Sequence, residues 1–371
     1  MSLFLTLRMV GFLLGLVWIA LYAAVGANIC TEAQIEDIVH QLKENRHFAK
    51  EPPTEKQFLR GTSCPSALWL EKVAKFCGTH DNLHMSHPKV LVIGGNKAYD
   101  CIGWARFFAS KDKEELFTAE LWGKRLRKVH SGLSCGVCNQ CREDYPTSQA
   151  KPRSHHVYCV EAAPVNYNLI EQALQDTEEG DLRYAVTMIN AAATLSVGTG
   201  AVNFTAVGKA GFEQNHIMVE DLRADAPPMA KETAHAPTVR VPAMSASEIV
   251  HQYMGGTPPS VLTIDTEGWD GHILLSAASI LATGHISYIE FEYNNFYPWV
   301  EIRLQLIIDY LDSMKYDCFW AHNNGRLYPL TGCHSEQYEN EGRTWSNVVC
   351  VHRKHSCWYD ALSEHVYQPV I

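Results

Sequence analysis

The sequence predicts an α/β protein: a mostly parallel sheet held between two layers of helices. Two observations carry that reading. Short apolar runs alternate with helical patterns from Lys89 onward, and the runs are continuously apolar rather than alternating. A strand that is apolar at every position is buried on both faces, which is the situation of a parallel strand covered by helices. A hydrophobic content of 46 % and an aromatic content of 10 % supply enough apolar surface for a sizeable core. The 371 residues suit one large domain with insertions.

The strands expected are Val90–Ile93, Val157–Val160, Tyr184–Ile189, Val261–Ile264 and Ile286–Phe291. Helices are expected near Tyr99–Ala109, Val165–Gln175, Ser245–Tyr253 and Trp269–Leu281, with Ser245 and Glu248 forming a capping box. A helix around Ile302–Leu311 follows, then three more strands at Tyr316–Trp320, Arg326–Tyr328 and Asn347–Val351. Ahead of the sheet, Thr31 to Gln34 reads as another capping box. It opens an amphipathic helix carrying Ile35, Ile38, Val39 and Leu42, and a second helix is expected from Pro65 to Phe76.

The first strand ends near Gly94 and the second near Glu161, about 67 residues apart, where a simple strand–helix–strand unit needs about 30. The excess, roughly 111–156, is read as a Cys-rich insertion. The chain thus divides into 1–27, a helical extension 28–88, the main domain 89–355 and a tail 356–371.

The N-terminus bears on location. Arg8 precedes an uncharged apolar run from Met9 to Ala27, about 28 Å long as a helix. Because the run ends in Val25-Gly26-Ala27, it reads either as a cleaved signal peptide or as an uncleaved single-pass anchor. Both send the remainder into the secretory pathway, lumenal or secreted. All 12 cysteines lie beyond the run, as suits disulfides in an oxidising lumen, and Asn203-Phe204-Thr205 is a glycosylation sequon. Cys135, Cys138 and Cys141 have spacings that suit either disulfides or thiolate ligation of zinc, the simpler reading in a lumen being disulfides. A net charge of −10 speaks against a nucleic-acid partner.

Four segments carry the chemistry. Val90 to Tyr99 runs a buried strand into Gly94-Gly95-Asn96 and then a helix, a geometry that lets a cofactor approach backbone N–H groups. Glu161 closes the second strand, where a carboxylate can accept hydrogen bonds from two ribose hydroxyls. Asp265-Thr266-Glu267-Gly268 delivers two carboxylates at the end of a strand, able to hold a substrate hydroxyl, accept its proton or bind a metal. Glu292 ends the next strand in the same region.

These segments resemble the FkbM-type methyltransferases, in particular their eukaryotic branch. The glycine turn matches Ile93 to Lys97, the acidic strand end matches Val160-Glu161-Ala162, and the Ile-Asp-x-Glu-Gly signature matches Ile264 to Gly268. Phe291-Glu292 matches a late Phe-Glu pair, and Leu330 to Cys333 with Trp345 to Cys350 match the tail. The resemblance implies a seven-stranded Rossmann-like sheet and S-adenosylmethionine as cofactor. By it, Gly94, Gly95, Asn96, Glu161 and Asp265 contact the cofactor, and Asp265, Glu267 and Glu292 are catalytic, with no metal. It also implies O-methylation of a small-molecule or glycan acceptor. Val92 and Ala98 stand where the family has an acid and a glycine. Those departures keep a catalytically dead secreted binding module open, and Asp265 with Glu267 keeps open a lumenal metal-dependent glycosyltransferase.

Overall fold

The computed structural model describes residues 30–44, 65–78, 87–133, 145–147, 155–175, 181–195, 200–205, 210–211, 217, 237–294, 296, 298–322, 325–343 and 345–368. The apolar run 9–27 lies outside the described residues, as do Cys64, Cys135, Cys138 and Cys141. Among the described residues no helix is long and apolar enough to cross a membrane.

Eight strands form one sheet, one more than the resemblance implies. Five are parallel: β1 (Lys89–Ile93), β2 (His156–Val160), β3 (Val186–Ile189), β7 (Val261–Ile264) and β8 (Tyr288–Asn294). Beyond β8, β11 (Trp345–His352) runs antiparallel between β8 and β9 (Tyr316–Ala321), and the three-residue β10 (Leu327–Pro329) closes that edge. The order across the sheet is β10-β9-β11-β8-β7-β1-β2-β3. The last strands return by a hairpin, so the additional strand is the short edge piece β10.

Side-chain alternation divides the core into two layers. Val90 and Val92 face one cluster, which also holds Trp69 and Leu70 of α2 (Pro65–Gly78), Trp104 of α3 (Tyr99–Phe108), Trp122 of α4 (Ala119–Val129) and Ile170 of α5 (Pro164–Gln175). Leu91 and Ile93 face the other, with Ile38 of α1 (Glu32–Glu44), Ile249 and Ile273. All four of these β1 side chains are at most 2 % exposed, which is why the run carries no polar residue.

Three expectations need correction. The run Tyr184–Ile189 is not all strand: α6 (Asp181–Ala185) precedes β3, and Tyr184 stands 80 % exposed. A small sheet of β4 (Ala192–Ala193), β6 (Thr238–Met244) and β5 (Ala201–Thr205) precedes α7 (Ala246–Tyr253) and was not expected. The single helix Trp269–Leu281 is two, α8 (Asp270–Ser276) and α9 (Ala278–Leu281). Ser276 donates to the Ile273 carbonyl at 2.7 Å and accepts from Ala246 N at 3.0 Å, so the helix ladder is interrupted where the hydroxyl competes for it.

Both capping boxes form. Thr31 N donates to Gln34 Oε1 at 2.8 Å, and Ser245 and Glu248 cap each other reciprocally. Four disulfides join Cys30 to Cys333, Cys77 to Cys357, Cys101 to Cys159 and Cys318 to Cys350, and no described cysteine is free. Cys77–Cys357 staples α2 to α12 (Ser356–Ser363) across 280 positions. Closing a loop that long removes about 5–6 kcal/mol, in the chain-entropy picture, from the freedom of the unfolded chain. Four such bonds belong to an oxidising environment.

Candidate active site

Strands β8, β7, β1 and β2 are consecutive neighbours in the sheet and parallel, so their carboxyl ends lie along one edge. That edge brings together the glycine turn, Glu161, Asp265 with Glu267, and Glu292. In an open parallel sheet this is where ligands bind.

The glycine turn is fixed by its neighbours. Gly94 has φ +94°, and a β-carbon there would stand 1.6 Å from the Asp265 carbonyl oxygen. Only a glycine lets β1 and β7 end this close together. Gly94 N and Gly95 N both donate to the Val160 carbonyl, at 3.0 and 2.8 Å, and Asp265 N donates to Ile93 O at 2.9 Å. Asn96 and Ala98 continue the turn at φ 41° and 59°. Ala98 thus keeps the left-handed backbone that glycine adopts freely, and its methyl is fully buried at the head of α3.

Glu161 is 6 % exposed and spans the gap between the turn and β2. Its Oε2 accepts from Asn96 N at 2.6 Å and its Oε1 from Ala163 N at 2.8 Å. Burial pushes its carboxyl up to about 7, against the pull of those two N–H groups, of Asn166 and of the Lys97 charge.

The signature turn holds a second set of acids. Asp265 is exposed at the edge and Glu267 half-buried. Glu267 has φ 53° and Gly268 φ 103°, so a non-glycine residue occupies the left-handed region beside the reacting edge. Strain of that kind costs about 1–3 kcal/mol and clusters at functional sites. Glu292 is 7 % exposed, and Asn294 Nδ2 donates to its Oε2 at 2.6 Å. Burial raises its carboxyl well above the usual range, and the negative charges of Asp265, Glu267 and Asp270 raise it further.

Asp270 was missed by the sequence reading. It is fully buried in the first turn of α8, accepting from Glu292 N at 3.1 Å and from Thr266 Oγ1 at 2.8 Å. One side chain thereby fixes the signature turn to the end of β8. Burial moves its carboxyl up to about 7, opposed by those hydrogen bonds. Its sequence signal was its place on an apolar stripe with Ile273, Leu274 and Ala277.

A family model, the methyltransferase FkbM domain, matches residues 134–318. The chain carries an FkbM methyltransferase domain. The match takes in Glu161, the Asp265 to Gly268 turn, Asp270 and Glu292, and it begins after β1 and the glycine turn. No curated protein matches the sequence. The match favours a methyltransferase over the glycosyltransferase reading.

Proposed function

We propose that the protein is an S-adenosylmethionine-dependent O-methyltransferase acting on a hydroxyl of a glycan or other small acceptor in the secretory pathway. The observation that carries the reading is the edge itself: the glycine turn after β1, Glu161 after β2, Asp265 with Glu267 after β7 and Glu292 near the end of β8, on four consecutive parallel strands. The residues present fit the cofactor. Gly94 and Gly95 leave the turn without side-chain bulk, and Asn96 Oδ1 is buried there with no hydrogen-bond partner. The acids of the edge suit a cationic sulfonium.

Gly94, Gly95 and Asn96 would hold the amino-acid end. Glu161 would take the ribose hydroxyls on the lone pairs that Asn96 N and Ala163 N leave open, since a carboxylate has about four acceptor sites. S-adenosylmethionine supplies an electrophilic methyl group on its sulfonium. The protein's work is to align an acceptor oxygen behind that methyl and to exclude water. Burial and the charges of Asp265, Glu267 and Asp270 raise Glu292 well above the usual carboxylate range and disfavour its charged form, so we assign it to orienting its neighbours. Glu267 would then take the acceptor's proton, and Asp265 would face the bound cofactor. The four disulfides support an exported protein.

The test is calorimetric titration with S-adenosylhomocysteine, run beside a sugar nucleotide with manganese, followed by methyl transfer to glycan hydroxyls. Saturable binding of the first ligand, with turnover falling more than affinity in Asp265→Asn, is expected. Binding of the sugar nucleotide alone would refute the reading.

A further inference from the structure

The Cys101–Cys159 disulfide lies directly beneath the glycine turn. Cys159 is two residues before Glu161 on β2, and Cys101 lies in the first turn of α3, which starts where the glycine turn ends. Both are fully buried. A β-carbon on Gly95 would stand 2.6 Å from Cys159 Sγ, 3.8 Å from Cys101 Sγ and 3.4 Å from Val160 O. Unlike Gly94, Gly95 has no positive φ, so its backbone would accept any residue. The sulfur below it, and not the turn's conformation, is what requires glycine there.

The bond therefore fixes three things at once. It sets the height of the turn above β2, the start of α3, and the approach of Glu161 Oε2 to Asn96 N. Packed interiors transmit small displacements instead of absorbing them. Among the described disulfides it touches the edge most directly. Cys318–Cys350, by contrast, links β9 to β11 on the far side of β8 from β1.

We infer that Cys101–Cys159 is a positioning disulfide of the cofactor turn: it sets cofactor affinity through the placement of Gly95 and Glu161, beyond its share in stability. The inference rests on the methyltransferase reading proposed above. The test uses the full chain and two disulfide-free forms, Cys101→Ala/Cys159→Ala and Cys101→Val/Cys159→Ala, the second refilling the space of the sulfurs. Cys318→Ala/Cys350→Ala serves as the control for the general loss of a crosslink. S-adenosylhomocysteine affinity is measured by calorimetry well below each melting temperature.

The expected result is affinity weakened about tenfold in at least one turn variant, the equivalent of one hydrogen bond to a charged group, with the control within about twofold of the parent. Gly95→Ala adds a readout that a merely structural crosslink would not move. It should cost affinity in the parent and cost less in the Cys101→Ala/Cys159→Ala background, where the methyl enters the space left by sulfur. Unchanged affinity in the folded turn variants, or equal losses in turn variants and control, would overturn the inference while leaving the methyltransferase reading intact. If the parent itself does not bind, the failure belongs to that reading instead.

Discussion

Replacing Asp270 by asparagine should make the protein less sensitive to rising pH. Asp270 is fully buried, and its carboxyl is pushed from an ordinary value of 3.8 up to about 7. In the unfolded chain it ionises first. A raised pKa therefore contributes stability that is full below the unfolded value and is lost as pH rises through the folded one. Between about pH 5 and about pH 8 a shift of this size removes roughly 2–3 kcal/mol, to order of magnitude. Asparagine keeps the shape: its Oδ1 can accept from Glu292 N, and its Nδ2 can donate to Thr266 Oγ1 once the hydroxyl rotates. The assay is urea unfolding of parent and Asp270→Asn at both pH values, disulfides intact. The parent should lose more stability on going to the higher pH, and the gap between the two proteins should close or reverse there. Asp270→Ala, which strands both donors, should cost about 2–4 kcal/mol at either pH. Parallel losses in parent and Asp270→Asn would mean that Asp270 is ionised throughout, and the account of the buried acids would be wrong.

Glu161→Ala should weaken S-adenosylhomocysteine binding roughly ten- to a hundredfold, because it removes the proposed ribose acceptor and frees Asn96 N from its anchor. Calorimetry on the folded variant decides it, and parental affinity would end the ribose assignment. Gly94→Ala places a β-carbon 1.6 Å from the Asp265 carbonyl at φ +94°, so a loss of about 3–5 kcal/mol is expected in denaturant midpoints. A variant as stable as the parent would contradict the close approach of β1 and β7. Lys315→Gly, at an exposed position with φ 72° just after α10 (Leu304–Ser313), should stabilise by about 1 kcal/mol. A lowered melting temperature would show that the backbone there is not left-handed.

The parallel strands were legible because burial on both faces leaves a mark that no other element of the chain carries: Val90 to Ile93 contain no polar residue to hide. The capping boxes were legible because their hydrogen bonds span three residues. What failed to show was decided by distant partners. The break between α8 and α9 depends on Ser276 meeting Ala246, thirty residues earlier in the chain. The small sheet depends on β5 and β6 pairing across a long connection, with Pro242 inside β6 and an exposed Asn203 on β5. Neither strand shows a clean apolar alternation. The disulfide partners of Cys30 and Cys77 lie 303 and 280 positions away, and nothing local selects them.

The candidate site divides along the same line. Glu161 and Asp265 could be read because each follows directly on a strand, Glu292 because it lies near the end of the next one, and adjacent parallel strands bring their ends together. Asp270 could not, because an aspartate at the start of a helix is ordinarily a solvated first-turn acid. Its position on the apolar face of α8 pointed the other way, since Ile273, Leu274 and Ala277 are all fully buried with it. An acid on such a stripe must find donors inside the protein or stay protonated. It does find them, in Glu292 N and Thr266 Oγ1, and its carboxyl rises nonetheless. The consequence reaches the site through charge: Asp270, Asp265 and Glu267 all raise Glu292, so the proton on Glu292 depends on theirs. The signature's two acids therefore do not act alone: substituting either one removes part of the charge that raises Glu292.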